Sequence, residues 1–315
     1  MVEAKLEGAM GKVVILGVFV ADTTYRADRM PNMGETILGN SFALGPGGKG
    51  SNQAVACARA GGDAHFVSKL GQDAFADMAL KIWAEAGVTS AVAQVDDSYT
   101  GAAFIYVDET TGDNAIIVSP GVAGTISVED IEAKADLIAG ASVFVTQLEQ
   151  PLPAALRALE LARAAGVRTI LNPAPAAELP DRMLALCDFV TPNETETEAL
   201  TGLPVTTIDE AREAAELLLA KGVGAVILTL GENGALYHDS TQSVHVPAFN
   251  AGPVVETTGA GDAFNGGFAA ALANGTDPLE AVRFGCATAS LSVTKPGTAA
   301  SMPGLSEIQA LLAGS

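Results

Sequence analysis

The stretch Val143-Phe144-Val145-Thr146, followed by Leu152 to Ala165 and then by Arg168-Thr169-Ile170-Leu171, decides the fold class. Both short runs are near-continuous Val/Ile/Leu/Phe rather than alternating, as expected of strands buried on two faces. The Ala- and Leu-rich segment between them is long enough for a helix. Strand, helix, strand in succession predicts a parallel sheet with helices on both faces. The unit recurs along the chain. Lys12 to Val18, Phe189 to Thr191 and Ala225 to Leu230 read as further buried strands, and Ser51 to Ala60, Ala74 to Ala86, Val128 to Ala139 and Asp209 to Lys221 as helices. The expected fold is α/β: a three-layer, doubly wound, mostly parallel sheet, with residues 1–315 forming one core.

Two stretches break the rhythm. Residues 22–45 lack a helical period and are punctuated by Pro31, Gly34, Gly39 and Gly45. Residues 99–121 read as strands Ala102 to Val107 and Asn114 to Val118 around the turn Glu109-Thr110-Thr111-Gly112-Asp113. We read both as insertions that build one small antiparallel accessory sheet, a lid over the main sheet. A further hairpin, Ala235 to His238 with Val244 to Val246, is expected to extend the core's edge.

Composition removes several function classes. With 315 residues the chain can bury a large core, and 17 Lys+Arg against 37 Asp+Glu give a formal charge of −20. Such a surface repels phosphate backbones, so nucleic acid is not the expected partner, and any anionic ligand needs a local site of N–H groups, lysine or metal ion. Three separated cysteines, Cys57, Cys187 and Cys286, form neither a disulfide framework nor a metal spacing and suit a reducing interior. The start Met1 to Gly8 lacks the basic, then apolar, pattern of a secretion signal. No segment approaches ~20 uninterrupted apolar residues. A soluble cytoplasmic protein, without membrane contact, is expected.

In open parallel sheets ligands bind beyond the carboxyl ends of the strands, so chemistry is expected in the polar, glycine-rich segments there. Gly45-Pro46-Gly47-Gly48-Lys49-Gly50-Ser51-Asn52-Gln53 is not a Walker A loop, since Ala43 and Gly50 stand where that motif needs Gly and Ser or Thr. Its open backbone, Lys49 and Asn52 suit a polyhydroxylated small molecule; the plainer reading is a glycine-rich helix entry with a solvated lysine. Glu256-Thr257-Thr258-Gly259-Ala260-Gly261-Asp262 opens a helix through Ala273. Its glycines aim N–H groups at one point, and Asp262 in the first turn could take a proton from an attacking hydroxyl, or merely cap the helix. In Thr191-Pro192-Asn193-Glu194-Thr195-Glu196, Asn193 and Glu196 share a helical face that suits a hydrated divalent ion, though acids at a helix start also serve the dipole alone. Thr229-Leu230-Gly231-Glu232-Asn233-Gly234 is a tight turn that either cradles phosphates or begins the hairpin.

Taken in order, these motifs, with Gly17 to Asp22, Gln147-Leu148-Glu149 and Asn172-Pro173-Ala174-Pro175-Ala176, resemble the ribokinase/PfkB family of ATP-dependent sugar kinases across nearly the whole chain, and the ribokinase branch most. The resemblance implies phosphorylation of a pentose, D-ribose first, at its terminal hydroxyl, with ATP, Mg²⁺ and a monovalent cation, usually K⁺. It assigns Asp262 as general base and Gly259, Ala260 and Gly261 as the anion hole. Asp22, Gly48, Lys49, Asn52 and Glu149 would hold the sugar, and Asn193, Thr229, Gly231 and Gly234 the nucleotide. Glu196 would organise Mg²⁺, and Glu256, Thr258, Ser292, Lys295, Gly297 and Ser301 the monovalent ion, several through backbone carbonyls. A homodimer joined through the lids is implied as well. Two departures stand out. Glu256 replaces a usual Asp at the cation site, and Val20 replaces an Asn that hydrogen-bonds the sugar in many ribokinases. Loss of a polar partner changes specificity sharply, so 2-deoxyribose, another pentose, a polyol or a nucleoside competes with ribose. A non-catalytic sugar or nucleotide sensor is the alternative of another class, disfavoured because Gly259, Gly261 and Asp262 are all present.

Overall fold

The computed structural model describes residues 10–314, so the acidic start Met1 to Gly8 lies outside the described residues. In chain order the strands are β1 (Lys12–Leu16), β2 (Val20–Ala27), β3 (Ser41–Gly47), β4 (Asp63–Val67), β5 (Lys69–Leu70), β6 (Thr89–Ser90), β7 (Ala93–Gln94), β8 (Thr100–Asp108), β9 (Asn114–Gly121), β10 (Val143–Thr146), β11 (Arg168–Leu171), β12 (Phe189–Val190), β13 (Ala225–Thr229), β14 (Ala235–Asp239) and β15 (Ser243–Val246). The helices are α1 (Lys49–Arg59), α2 (Ala74–Ala86), α3 (Val128–Glu132), α4 (Ala135–Ala139), α5 (Leu152–Ala164), α6 (Asp181–Leu184), α7 (Glu194–Thr201), α8 (Ile208–Ala220), α9 (Ala260–Ala273), α10 (Pro278–Ser292) and α11 (Leu305–Ala313).

The main sheet runs β15-β14-β13-β12-β11-β10-β1-β4-β6 and is parallel except for the β14–β15 hairpin at one edge, as expected. Alternate residues of each strand enter opposite cores. Val13, Ile15, Val143, Val145 and Ile170 pack with α1, α2, α9 and α10 on one face, while Val14, Leu16, Phe144 and Leu171 pack with α5 and α8 on the other. This is the three-layer arrangement read from the sequence. The chain leaves β1 toward β4 on one side and returns through β10 on the other, so the strand order reverses between β1 and β10. A crevice opens there at the carboxyl ends.

The second sheet runs β3-β2-β8-β9 and draws on both insertions. Its outer pairs, β2–β3 and β8–β9, are antiparallel hairpins, whereas the central pair β2–β8 is parallel. The connection from one hairpin to the other crosses the core, so both β2 and β8 rise from the core in the same direction. Asp73 ties the sheet down: one carboxylate oxygen caps α2 through Phe75 and Ala76, and the other accepts the Thr100 N–H at 2.8 Å where β8 begins. One helix expectation needs correction. The segment Val128 to Ala139 is two short helices, because Lys134 N–H bonds Ile131 O and tightens the chain between them. No helix among the described residues is long and apolar enough to cross a membrane.

Candidate active site

The residues singled out in the sequence gather at the crevice. Gly48 enters α1 at φ 88°, and a side chain there would collide with the Val18 carbonyl. Its neighbour Gly47 passes so close to the Asp22 carboxylate that no Cβ could fit. The Lys49 N–H donates to Glu149 Oε2 at 2.8 Å, joining the loop after β10 to the loop before α1. Asp22 and Glu149 therefore flank one side of the crevice.

Asp262 stands in the first turn of α9, only 7% exposed, with an amide on each oxygen. Asn52 Nδ2 donates to Oδ2 at 3.0 Å and Gln53 Nε2 to Oδ1 at 3.1 Å. Gly259 precedes it as the left-handed N-cap at φ 84°, and a Cβ on Gly261 would meet only open space. The Ala260 N–H is turned away to Thr257 O at 3.1 Å, so Ala260 offers no free donor to an anion; among the described residues the first-turn N–H groups of Gly261 and Asp262 have no acceptor. Asp262 is thus not a capping residue: its side chain accepts from α1, not from its own helix.

On the far side of Asp262 lies a cavity of about 170 Å³ lined by Lys49, Asn172, Thr191, Asn193, Glu196, Thr229, Gly259, Gly261 and Asn265, among others. Asn193 and Glu196 cap α7 reciprocally at 2.8 and 2.9 Å, so both readings of these residues hold together: they cap, and they face the cavity. Thr229 ends β13 and bridges to Asn193. Gly231 faces open space, but Gly234 is wedged against the backbone of Val246 to Ala248, so its geometry is explained by the hairpin. A larger groove of about 290 Å³, lined by Leu152, Leu156, Arg157 and Arg182 among others, holds none of the residues singled out for chemistry.

The residues read for a monovalent ion converge on one turn. Gly297 N–H donates to Glu256 Oε2 at 2.8 Å, and Val255 and Glu256 both donate to Val293 O. The Lys295 ammonium is paired with Glu307 at 2.7 Å; being a cation it cannot ligate another, so only the backbone carbonyl of Lys295 could. Ser292 and Ser301 point their hydroxyls to Ala289 O and Thr298 O, and Thr258 is exposed in the preceding turn. Thr298 also donates to Pro46 O at 2.9 Å, which binds this turn to the glycine loop.

Burial raises the proton affinity of four carboxylates here, and Lys49 opposes it at three of them. Burial, then the Asp262 charge, pushes the Asp22 carboxyl up to about 6. Burial likewise lifts Glu149 to about 7 against the opposing pull of Lys49. Asp262 and Glu196 are also raised by burial, with Lys49 acting downward on both.

Sequence reasoning singled out Asn52 and Asn193 but gave no role to the neutral amides Gln53, Gln147, Asn172 and Asn265. Gln147 donates to Gln53 at 2.7 Å, Gln53 to Asn172 at 3.1 Å, Asn172 to Thr191 O at 3.1 Å, Thr191 to Asn265 at 2.7 Å, and Asn265 to Gly261 O at 2.8 Å. This buried chain closes a ring through Asp262. Uncharged amides in Ala-rich or Pro-rich segments carry no signal of chemistry until packing brings them together.

Known proteins share both sequence and fold with this chain. A ribokinase of Staphylococcus aureus is 40% identical over 300 residues, covering 94% of this chain and 98% of the relative. A deoxyribokinase of Salmonella typhi is 38% identical over 302 residues, covering 95% and 98%. The structure of Arabidopsis thaliana ribokinase complexed with ribose and ATP superposes with a TM-score of 0.90 at 31% identity, covering 96% of this chain and 99% of the other. The model of the pfkB family carbohydrate kinases matches residues 10–305. The chain therefore belongs to the pfkB family of carbohydrate kinases.

Proposed function

We propose that this chain transfers the γ-phosphoryl group of ATP to the terminal hydroxyl of a pentose, D-ribose first, giving D-ribose 5-phosphate. One observation carries the reading: a buried carboxylate with both oxygens oriented by amides stands beside helix N–H groups that have no acceptor. The sugar oxygen bonds to the γ-phosphorus as the bond from that phosphorus to the ADP oxygen breaks, and the hydroxyl proton passes to Asp262. The N–H groups of Gly261 and Asp262, at the positive end of the α9 dipole, oppose charge on the transferring oxygens. A carboxyl raised toward the working pH is better matched to this proton transfer.

Asp22, Gly48, Lys49, Asn52 and Glu149 hold the sugar in this reading. Asn52 Oδ1 is buried without a protein partner, which suits it to accept a sugar hydroxyl. Asn193, Thr229 and Gly231 line the nucleotide side, with Gly234 shaping the turn. Mg²⁺, when bound, would supply positive charge against the phosphate groups of the nucleotide. Glu196 fits that ion, since its capping bond occupies only Oε2 and the residue lines the cavity. A monovalent cation fits the turn of Glu256, Thr258, Ser292, Lys295, Gly297 and Ser301, where Glu256 offers a carboxylate one methylene longer than Asp.

Val20 favours a second substrate, 2-deoxy-D-ribose. It is buried two residues before Asp22 on the same strand, so both side chains share a face of β2, and it offers no hydrogen bond. A coupled ADP-release assay over both sugars decides: turnover of either with ATP and Mg²⁺ supports the reading, and Val20→Asn is expected to shift preference toward ribose. No ADP release with any pentose, polyol or nucleoside would leave only a binding role.

The accessory sheet acts as a lid in this reading and as the joint of a homodimer. Ile116, Ile117 and Val118 are all exposed on edge strand β9, and Phe42 and Leu44 are exposed on β3, the opposite edge of the same sheet. An apolar edge of that kind calls for cover by a second copy. All three cysteines are free and buried, in keeping with a cytoplasmic enzyme.

A further inference from the structure

The side chain of Gln53 touches neither solvent nor cavity: it is 0% exposed, and every hydrogen bond it makes is to protein. Asn52, its neighbour, differs, because one end of that amide is unpartnered and left for a ligand. Gln53 Oε1 accepts from Gln147 Nε2 at 2.7 Å, which fixes which end of the amide is which. Its Nε2 then divides two hydrogens between Asp262 Oδ1 and Asn172 Oδ1, each at 3.1 Å. Both donors of the amide are committed, and neither can turn away without leaving a buried group unpaired.

We infer that Gln53 is a positioning residue for the phosphoryl transfer: locked by Gln147 and Asn172, it holds the Asp262 carboxylate in the orientation and ionisation that proton removal requires. This deepens the reading of Asp262 as general base and rests on it. A donor to the charged form of a carboxylate also holds its proton affinity down. The other charged groups facing Asp262 are Lys49 from α1, Asp22 from β2, Glu149 from the loop after β10 and Glu196 from α7. Lys49 works with Gln53, and the three acids work against it.

The experiment compares wild type, Asp262→Asn, Gln53→Met and Gln53→Glu by steady-state kinetics across pH on protein whose folding is checked by circular dichroism. Gln53→Met keeps the bulk and removes the donor. It should lower kcat at least tenfold, leave KM for ATP within about twofold, and move the acidic limb of the kcat profile to higher pH. A folded Gln53→Met with wild-type kcat and an unmoved limb overturns the inference. If loss of three buried bonds prevents that variant from folding, Gln53→Glu answers instead: its carboxylate still accepts from Gln147 but faces Asp262 with oxygen. It should be crippled near neutrality and regain turnover as pH rises, because two facing carboxylates share a proton. Equal loss at every pH would mark a merely structural role and refute the proposal. Full turnover by Asp262→Asn would instead sink the base assignment on which Gln53 depends.

Discussion

Replacing Gly266 by Ala adds one methyl between α9 and α1 and should cost this enzyme most of its turnover. Gly266 lies on the face of α9 that packs against α1. A Cβ there would stand 2.6 Å from the Gln53 carbonyl oxygen and 2.7 Å from the Cys57 nitrogen. Ordinary contact begins near 3.4 Å, so α1 must retreat by about 0.8 Å, and the obstacle is backbone rather than a side chain that could swing aside. Asn52 and Gln53 travel with α1. Their bonds to Asp262, at 3.0 and 3.1 Å, would stretch beyond hydrogen-bond range. Overpacking of this kind costs about 1–3 kcal/mol, and a misplacement approaching 1 Å costs on the order of 10²-fold in rate. Melting curves and kcat on Gly266→Ala should show both losses. Gly267→Ala is the control: its Cβ would press on Thr288 Cβ of α10 at 2.8 Å, on the other side of α9 from α1. It should lose comparable stability and keep kcat within a few-fold. A Gly266→Ala enzyme with wild-type kcat would refute the claim that α1–α9 spacing sets the geometry of Asp262.

Other outcomes follow from the same site. Asp22 and Glu149 bind protons more tightly folded than unfolded, so their contribution to stability is greatest below about pH 4 and is lost as pH rises through about 6 and 7. Asp22→Asn should therefore raise the free energy of unfolding at pH 8 by an amount on the order of 2 kcal/mol, seen as a higher Tm, leave it little changed at pH 4, and lower turnover at both. Ile117→Asp, on the exposed edge strand β9, should shift sedimentation from dimer to monomer; an unchanged profile would place any dimer interface elsewhere.

How much was legible in advance depended on burial. The strands Val143–Thr146 and Arg168–Leu171 match the reading residue for residue, because burial on both faces demands apolar side chains such as Val143, Phe144, Val145, Ile170 and Leu171. Helix Ala74–Ala86 does so too, since Asp73 caps its start and Gly87 ends it at φ 84°. Strand Asp63–Val67 escaped notice: Asp63 and His65 interrupt its apolar run, and it lies toward the edge of the sheet. Helix Pro278–Ser292 also escaped, although Asp277 and Pro278 mark its start in the usual way. In the site, charged and glycine-rich positions announced themselves, and Asp22, Lys49, Glu149 and Asp262 do meet. Gln53, Gln147, Asn172 and Asn265 did not, because a neutral amide acquires a role only from the partner that packing supplies.

The central claim is that Asp262 takes a proton from a pentose hydroxyl as phosphate is transferred to it. ³¹P NMR of the purified protein with ATP, Mg²⁺, K⁺ and ribose or 2-deoxyribose, run beside Asp262→Asn, tests it most directly. The account predicts pentose 5-phosphate and ADP in equal amounts, with turnover falling by about 10³-fold in the folded variant while nucleotide binding persists. Inorganic phosphate in place of a sugar phosphate with both sugars, or wild-type turnover by Asp262→Asn, would contradict it.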